Sequence, residues 1–440
     1  MNKAYRWYVV GVLTFAYLVS FLDRQILALL IGPIKADFDL SDTQISLLVG
    51  FAFGIFYVLM GIPLGRLADR ANRKRIIIAG VSAWSAMTSA CGLAGNFLQL
   101  FLARIGVGVG EAALTPSALS IISDIFPRKE RSSAIATYNL GISLGTGLAM
   151  IMGGLVIGYV MSAPPAVLPV VGELKSWQYV FLLVSLPGVL VVLLMLTVRE
   201  PARQEVLGDH QGAIPLRDAL AYLSERRSLY VPLFLGMSVT TIVGYAYFTW
   251  IPEMMARRFV WERMDIGISY GLIVLTCGPL GALGGGWLSD RYFKQGKLDG
   301  AIRVGLLGTA MSLPGLCLVP LMPSGEAALV AIAMASVGPA TITVAGTTAV
   351  VLVTPNQLRG QTLALYLFTI SILGLSIGPT TVALVTDRVF GNEAMLHWSI
   401  AIVAITSSLI SLALLAAAIG PYRRAVAESE SWAGVGSADA

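Results

Sequence analysis

Four ionisable residues stand inside long apolar stretches of this chain: Asp23, Arg24, Arg104 and Glu111. A charge at that depth is costly and by default marks an ion or solute path, a proton relay or a pairing partner. Their geometry follows from helix dimensions. The first stretch begins at Trp7, so Asp23 lies ~24 Å in at 1.5 Å per residue. The stretch holding Arg104 begins at Phe97 and runs the other way, so Arg104 is ~10 Å from the opposite side and at a similar depth. Glu111 is two turns past Arg104, on the same helix face and nearer the midplane. Buried charges are tolerable when paired, and the simplest pairing is Asp23 with Arg104. Arg24 points about 100° away and could reach Glu111 or an anionic solute. Glu111, deeper and less well paired, is the first choice for a proton carrier, with Asp23 second. The bland alternative is a static ion-pair network that only fixes packing.

The elements that must position these groups are membrane spans. Of 440 residues, 56% are hydrophobic and only 12% charged, with mean hydropathy +0.78, whereas a soluble domain carries about 25% charged residues. A span needs about 20 mostly apolar residues. Twelve such stretches can be drawn, at 7–31, 43–66, 76–95, 97–123, 132–160, 177–198, 229–252, 266–289, 301–321, 327–353, 361–386 and 395–419. The run from Trp7 is too long for a signal peptide and lacks a small-residue cleavage site. The expected fold class is therefore an all-α membrane protein.

Orientation follows from lysine and arginine. With both termini cytoplasmic, 22 basic residues fall inside and six outside. The short loops and missing Asn-x-Ser/Thr sequon fit a bacterial inner-membrane, multi-pass protein. The net charge of +5 is spread in short clusters between apolar spans, a pattern that argues against nucleic-acid binding. Residues 1–198 form one six-span bundle, 199–228 a charged cytoplasmic linker with a short amphipathic helix around Leu216 to Leu223, and 229–419 a second bundle. Residues 420–440 are small and polar and read as a disordered cytoplasmic tail. Met161 to Ser176 carries three prolines and reads as a loop.

The halves repeat each other. Gly65-Arg-Leu-Ala-Asp69-Arg70 follows the second stretch and Gly286-Trp-Leu-Ser-Asp290-Arg291 the eighth; Pro127 and Arg131 precede the fifth, Pro355 and Arg359 the eleventh, at the same spacing. Internal repeats around a midplane site mark secondary transporters. Gly106, Gly108 and Gly110 sit in a membrane helix with no preceding strand, so they read as close packing rather than a nucleotide loop. Cys91, Cys277 and Cys317 lie apart in apolar runs and read as small buried hydrophobes. His210 and His397 suggest no metal or catalytic pair. With no nucleophile motif and no P-loop lysine, no enzyme activity, no cofactor and no use of ATP is expected. Tyr57, Tyr138, Tyr245, Tyr247, Trp250 and Tyr366 are candidates to line a cavity, with packing or lipid contact the equal alternative.

Gly65-x-x-x-Asp69-Arg70-x-x-Arg73-Lys74-Arg75, together with its second copy and the twelve spans, resembles the major facilitator superfamily over nearly the whole chain. Phe21-Leu-Asp23-Arg24, Gly65 to Lys74, the block from Ala103 to Ala112, and Ser123-Asp124-Ile-Phe126 with Arg131 are similar to its spinster branch. The resemblance implies two pseudo-symmetric six-helix bundles, a central cavity lined by spans 1 and 4, and alternating access. It also implies a cytoplasmic gate at Gly65, Asp69, Arg70, Arg73, Arg131, Asp290 and Arg291. Positive-inside topology explains some of these arginines without a gate. The superfamily's antiporter motif, GxxxGP in span 5, is incomplete here: Gly141-x-x-x-Gly145 is followed by Thr146, whereas Gly374-x-x-x-Gly378-Pro379 lies in span 11. Spinster proteins are associated with lysophospholipid and sphingolipid export. The function expected is secondary transport of a small organic, amphiphilic or anionic solute, coupled to protons. A sugar-acid or carboxylate symporter and a facilitative uniporter are the alternatives. The partners expected are the lipid bilayer, the solute and protons, with the chain a monomer.

Overall fold

In a computed structural model the chain is described over residues 2–163, 167–168, 172–203 and 215–435. All twelve expected spans are helical, as they must be where no water can satisfy the backbone. The first six comprise α1 (Lys3–Leu29), α3 (Asp42–Ser46) with α4 (Ala52–Arg70), α5 (Arg73–Gly92), α6 (Phe97–Glu111) with α7 (Leu114–Ile125), α8 (Arg128–Ser162) and α9 (Ser176–Thr197). A short α2 (Ile31–Phe38) follows α1, and α10 (Leu216–Glu225) is the amphipathic linker helix. The last six comprise α11 (Arg227–Phe259), α12 (Arg263–Lys294), α13 (Gly300–Leu318), α14 (Gly325–Leu352), α15 (Asn356–Ser371) with α16 (Gly378–Leu384), and α17 (Leu396–Val435). Eleven of these stretches are long and apolar enough to cross a membrane by composition. The remaining one is α5, which opens on Arg73-Lys74-Arg75.

The repeat is visible in local geometry. Pro127 caps α8 and Pro355 caps α15 with nearly equal backbone angles, φ −63° and ψ 154° against φ −56° and ψ 147°. Outside the repeat, since they are not counterparts in it, span 2 has a π-helical turn at Leu47–Phe51 and span 11 has two, at Ile372–Ile377 and Val385–Phe390. In span 11 the missing N–H of Pro379 removes a ladder bond at that point.

Two expectations need correcting. The segment read as a loop contains a two-residue antiparallel pairing, Val167–Leu168 with Gly172–Glu173. The tail read as disordered continues as helix through Val435 despite Gly420-Pro421. The reason is tertiary: Tyr422, Ala425 and Val426 pack into an apolar cluster with Leu229, Leu233 and Leu223 of α10. Of the three cysteines, only Cys91 is fully buried; Cys317 is exposed.

The chain divides into two compact units. Unit 1 holds Met1–Val206, Phe248–Leu275 and Ala383–Ala394; unit 2 holds Leu207–Tyr247, Thr276–Val382 and Met395–Ala440. Unit 1 thus takes in the end of α11, the start of α12 and the segment after α16. Glycines make this possible. A Cβ on Gly267 would lie 2.6 Å from the Met150 carbonyl oxygen, and one on Gly271 would lie 2.7 Å from that of Gly147. The backbones of α8 and α12 therefore touch, a packing that small residues allow in membranes. Unit 2 is centred on α13 and α14, with a Cβ on Gly315 placed 2.5 Å from the Ala331 carbonyl oxygen.

Candidate substrate and proton site

Span 4 is interrupted where its charge sits. Pro116 has no N–H to offer the Ala112 carbonyl. α6 ends at Glu111, the Ala113 N–H tightens onto the Gly110 carbonyl at 3.3 Å, and α7 restarts at Leu114. Glu111 therefore lies at a helix C-terminus, where a carboxylate meets partial negative charge and needs a cation. Arg24 supplies it: its Nε donates to Glu111 Oε2 at 2.5 Å. The other Glu111 oxygen, Oε1, is buried and has no hydrogen-bond partner among the described residues.

The expected Asp23–Arg104 carboxylate pair is not formed. Arg104 Nη1 donates instead to the backbone carbonyl of Asp23 at 3.3 Å, and Asp23 Oδ1 is buried without a hydrogen-bond partner among the described residues. The expectation that Glu111 is the less well paired acid is also reversed: Glu111 holds the cation and Asp23 does not. The two differ by helix azimuth, which depth alone does not set. Asp23, Arg104 and Glu111 are each about 1% exposed, while the Arg24 side chain is 16% exposed. Of the four, Arg24 has the most accessible side chain.

Aromatic rings surround the two guanidiniums. The Arg24 guanidinium carbon lies 5.0, 4.9 and 4.7 Å from the ring centres of Phe21, Phe53 and Tyr57. The Arg104 carbon lies 5.3 Å from Phe53. At such distances a cation is held by ring electrostatics. Phe53, which touches both cations, was not among the sequence candidates. Its place depends on Gly108, where a Cβ would fall 2.5 Å from the Phe53 carbonyl oxygen. Gly110 meets Trp84 N and Gly80 O on α5 in the same manner. The glycine run is therefore packing, and it lets α6 press α4 on one side and α5 on the other.

The remaining aromatic candidates divide. Tyr57 and Tyr245 are half-buried. Tyr138 is fully buried, stacked on Tyr17 at 4.7 Å, with its hydroxyl 3.3 Å from that of Thr115. Tyr247 and Trp250 are buried. Tyr366 belongs to the apolar cluster of unit 2, its hydroxyl so near Gly346 that no Cβ would fit there.

The gate candidates differ in their own surroundings. Asp69 is exposed and makes no hydrogen bond or ion pair among the described residues, and Asp290 is exposed too. Around Gly65 the space is open: a Cβ there would meet only Pro116, at 3.9 Å. Arg70 is exposed, Arg131 is half-buried, and Arg291 lies over the Trp287 ring at 5.4 Å. Arg73 differs: it is fully buried, paired with Asp124, bonded to Glu200 Oε1 at 2.8 Å and to the Pro201 carbonyl at 2.8 Å. It ties α5 to α7 and to the chain after α9, all inside unit 1.

At the opposite end of span 2 lies a network the sequence reading counted only as loop charges. Asp42 is completely buried and receives Arg257 through two bonds of 2.7 and 2.8 Å and Lys35 at 2.6 Å. Glu253, 2% exposed, holds Arg257 and Arg263, each at 2.7 Å. Glu393 adds a bond to Lys35 at 2.7 Å, and Asp387 accepts from the Thr43 N–H and hydroxyl. The Glu253/Arg257 spacing of four was the one available clue, since it places both on one helix face.

Residues 13–379 match the profile of the Major Facilitator Superfamily. An efflux pump of that type from Mycolicibacterium smegmatis is 27% identical over 96% of this chain and 94% of its own length. Protein spinster of Drosophila melanogaster is 28% identical over 71% of this chain, and a probable L-galactonate transporter of Escherichia coli is 25% identical over 64%. The chain spans 51% and 61% of the length of those two relatives. A crystal structure of a bacterial homologue of the human lysosomal transporter Spinster, inward-facing and unoccupied, superposes with a TM-score of 0.78 at 29% identity. That match covers 97% of this chain and 98% of the other. A D-xylose-proton symporter shares the fold, with a TM-score of 0.69 at 13% identity. The buried charges on spans 1 and 4, the twelve helices and these likenesses together place the chain in the Major Facilitator Superfamily, as a multi-pass membrane transporter of spinster type.

Proposed function

We propose that this transporter moves an amphiphilic organic anion by alternating access, with Arg24 as the anion-binding group and Glu111 as the proton carrier. The observation that carries the reading is the Arg24–Glu111 pair, in which the only partly accessible cation of the site is occupied by a carboxylate. When Glu111 is ionised it holds the guanidinium. Once Glu111 is protonated it no longer competes, and Arg24 turns to a carboxylate or phosphate of the solute. A proton and an anion are then admitted together, which couples their movement. Asp23 and Arg104 hold the electrostatic frame and are the reserve proton site.

Two relatives' cargoes agree on charge and differ in tail: one is named a probable L-galactonate transporter, another a sphingosine-1-phosphate transporter. Both cargoes carry an anionic group. Phe21, Phe53 and Tyr57 around Arg24 favour the amphiphile, with the sugar acid as the second reading.

The two ends of span 2 act as alternating closures. The Asp42–Arg257–Glu253 network is made while Asp69 has no partner among the described residues. In the opposite state the network parts and Asp69, with Arg70, Arg131, Asp290 and Arg291, latches the cytoplasmic side. The excess of lysine and arginine on that side supports a cytoplasmic position for Asp69 and both termini.

The test is flux in proteoliposomes with and without a pH gradient. Glu111→Gln mimics the protonated acid, so solute exchange should persist while proton-driven accumulation is lost. Accumulation that still follows the gradient in this variant removes Glu111 from the coupling.

A further inference from the structure

Unit 1 carries a cavity of about 450 Å³ on the Asp69 side, and none of the four charges of the candidate site is among its lining residues. Its floor is the contact of α5 with α6, where a Cβ on Gly80 would lie 2.8 Å from the Gly110 carbonyl oxygen. Leu64 and Leu67 of α4 form one wall, and the exposed Ala79 and Ala83 leave the α5 side open. The lining is apolar except at one end, where Asn72 and Arg75 stand.

That end has a charge to spare. α5 begins with three basic residues, an unfavourable placement at the positive end of a helix dipole. Arg73 is answered by Asp124 and Glu200. Lys74 donates to the Leu196 carbonyl at 2.8 Å, and its N–H bonds Glu200. The Arg75 N–H bonds the Asn72 side chain, but the Arg75 guanidinium is exposed and has no partner among the described residues. Arg66 and Arg70, on the last turns of neighbouring α4, are exposed and likewise without side-chain partners among the described residues.

We propose that this groove is a binding site for an anionic phospholipid of the adjoining leaflet, with an acyl chain lying along α4 and α5 and the phosphate on Arg75. The walls match a hydrocarbon chain, which gains nothing from a polar lining. The Arg75 cation at one end matches a negative headgroup, the pattern expected of basic pockets between spans. The backbone N–H groups at the start of α5 are already bonded, so recognition falls to the Arg75 side chain. Neither Arg24 nor Glu111 lines the groove, and the proposal does not depend on the identity of the transported solute.

The test is lipid retention by purified protein in native mass spectrometry, with phosphatidylglycerol and phosphatidylcholine as probes. Wild type should retain phosphatidylglycerol preferentially. Arg75→Gln should lose roughly fivefold of that preference, the worth of one basic residue near a lipid surface, and Arg75→Lys should keep most of it. Ala83→Trp, which fills the groove and leaves the charge, should reduce retention of both lipids. Equal retention of the two lipids by wild type, an unchanged preference in Arg75→Gln, or competition by glycerol 3-phosphate as strong as that by the lipid would overturn the proposal.

Discussion

Arg73 at the start of α5 reaches Glu200, just past the end of α9, at 2.8 Å; Asp299 at the start of α13 is reached at 2.7 Å by Arg423, in the stretch of α17 that follows Gly420-Pro421. These are equivalent places in the two repeats, spans 3 and 6 and spans 9 and 12, and the signs are exchanged. An attraction works in either polarity, so the fold asks for an ion pair at that corner and is indifferent to which partner is the acid. Inside the spans the halves do differ. α1 and α6 bury Asp23, Arg104 and Glu111, whereas the spans of unit 2 bury hydroxyls and, among the described residues, no charge. Thr240 donates to Ser411 at 2.8 Å and Ser411 to the Gly236 carbonyl at 2.6 Å, joining α11 to α17 with neutral groups. The corner pair is repeated, whereas the cluster of Asp23, Arg24, Arg104 and Glu111 has no counterpart among the described residues of unit 2.

That contrast can be broken at several places. The largest effect is expected at Arg24. Arg24→Ala should abolish transport and leave Glu111 without its cation, whereas the double variant Arg24→Gln, Glu111→Gln should recover folding, read by size-exclusion profile and melting, but not flux. Recovery of flux would reduce the pair to packing. Next is Arg73→Met, which strands Asp124 and Glu200 and should cost roughly 3 kcal/mol of stability, the scale for breaking a buried pair. A melting temperature within error of wild type would show that the corner is not needed. Asp42→Asn weakens two bonds to Arg257 and one to Lys35, so a cysteine introduced near Thr43 should label faster with an impermeant thiol reagent. Unchanged labelling separates the network from closure.

Smaller effects sharpen the neutral side. Ser411→Ala should cost about 1 kcal/mol and leave the pH dependence of transport unaltered; a shifted pH profile would bring unit 2 into the coupling. The smallest is a pH effect at Asp299. Burial by itself would raise this carboxyl, but hydrogen bonds from Arg303 and Arg423 outweigh it and hold it below the usual range. A carboxyl with a depressed folded value contributes stability above about pH 4, and that contribution fades as pH falls through the folded value. Asp299→Asn should therefore lower the melting temperature at neutral pH and narrow its gap to wild type in acid. A gap that stays constant with pH would deny the clamp its charge.

Much of this was readable before any coordinates. Charges within apolar runs declare themselves, because hydrocarbon tolerates few of them, and a rise of 1.5 Å per residue is enough to match Asp23, Arg104 and Glu111 in depth. Glu253 and Arg263 were not readable, since they sit at span ends where charge is ordinary, ten residues apart on different helices. Phe53 gave no warning among so many apolar neighbours. The helical course past Gly420-Pro421 was hidden as well, because it follows from the contacts of Tyr422 and Val426 rather than from local propensity.

By itself the amino-acid order determined the spans, their repetition and which residues carry charge into the membrane, because each follows from local hydropathy and helix rise. Only the tertiary structure decided that Arg24 takes Glu111, that Arg104 takes the Asp23 carbonyl, and that Asp42 is sealed by Arg257. Those choices depend on the rotation of each helix about its axis and on where glycines such as Gly108 and Gly271 let two backbones meet, and neither is set by any one segment alone.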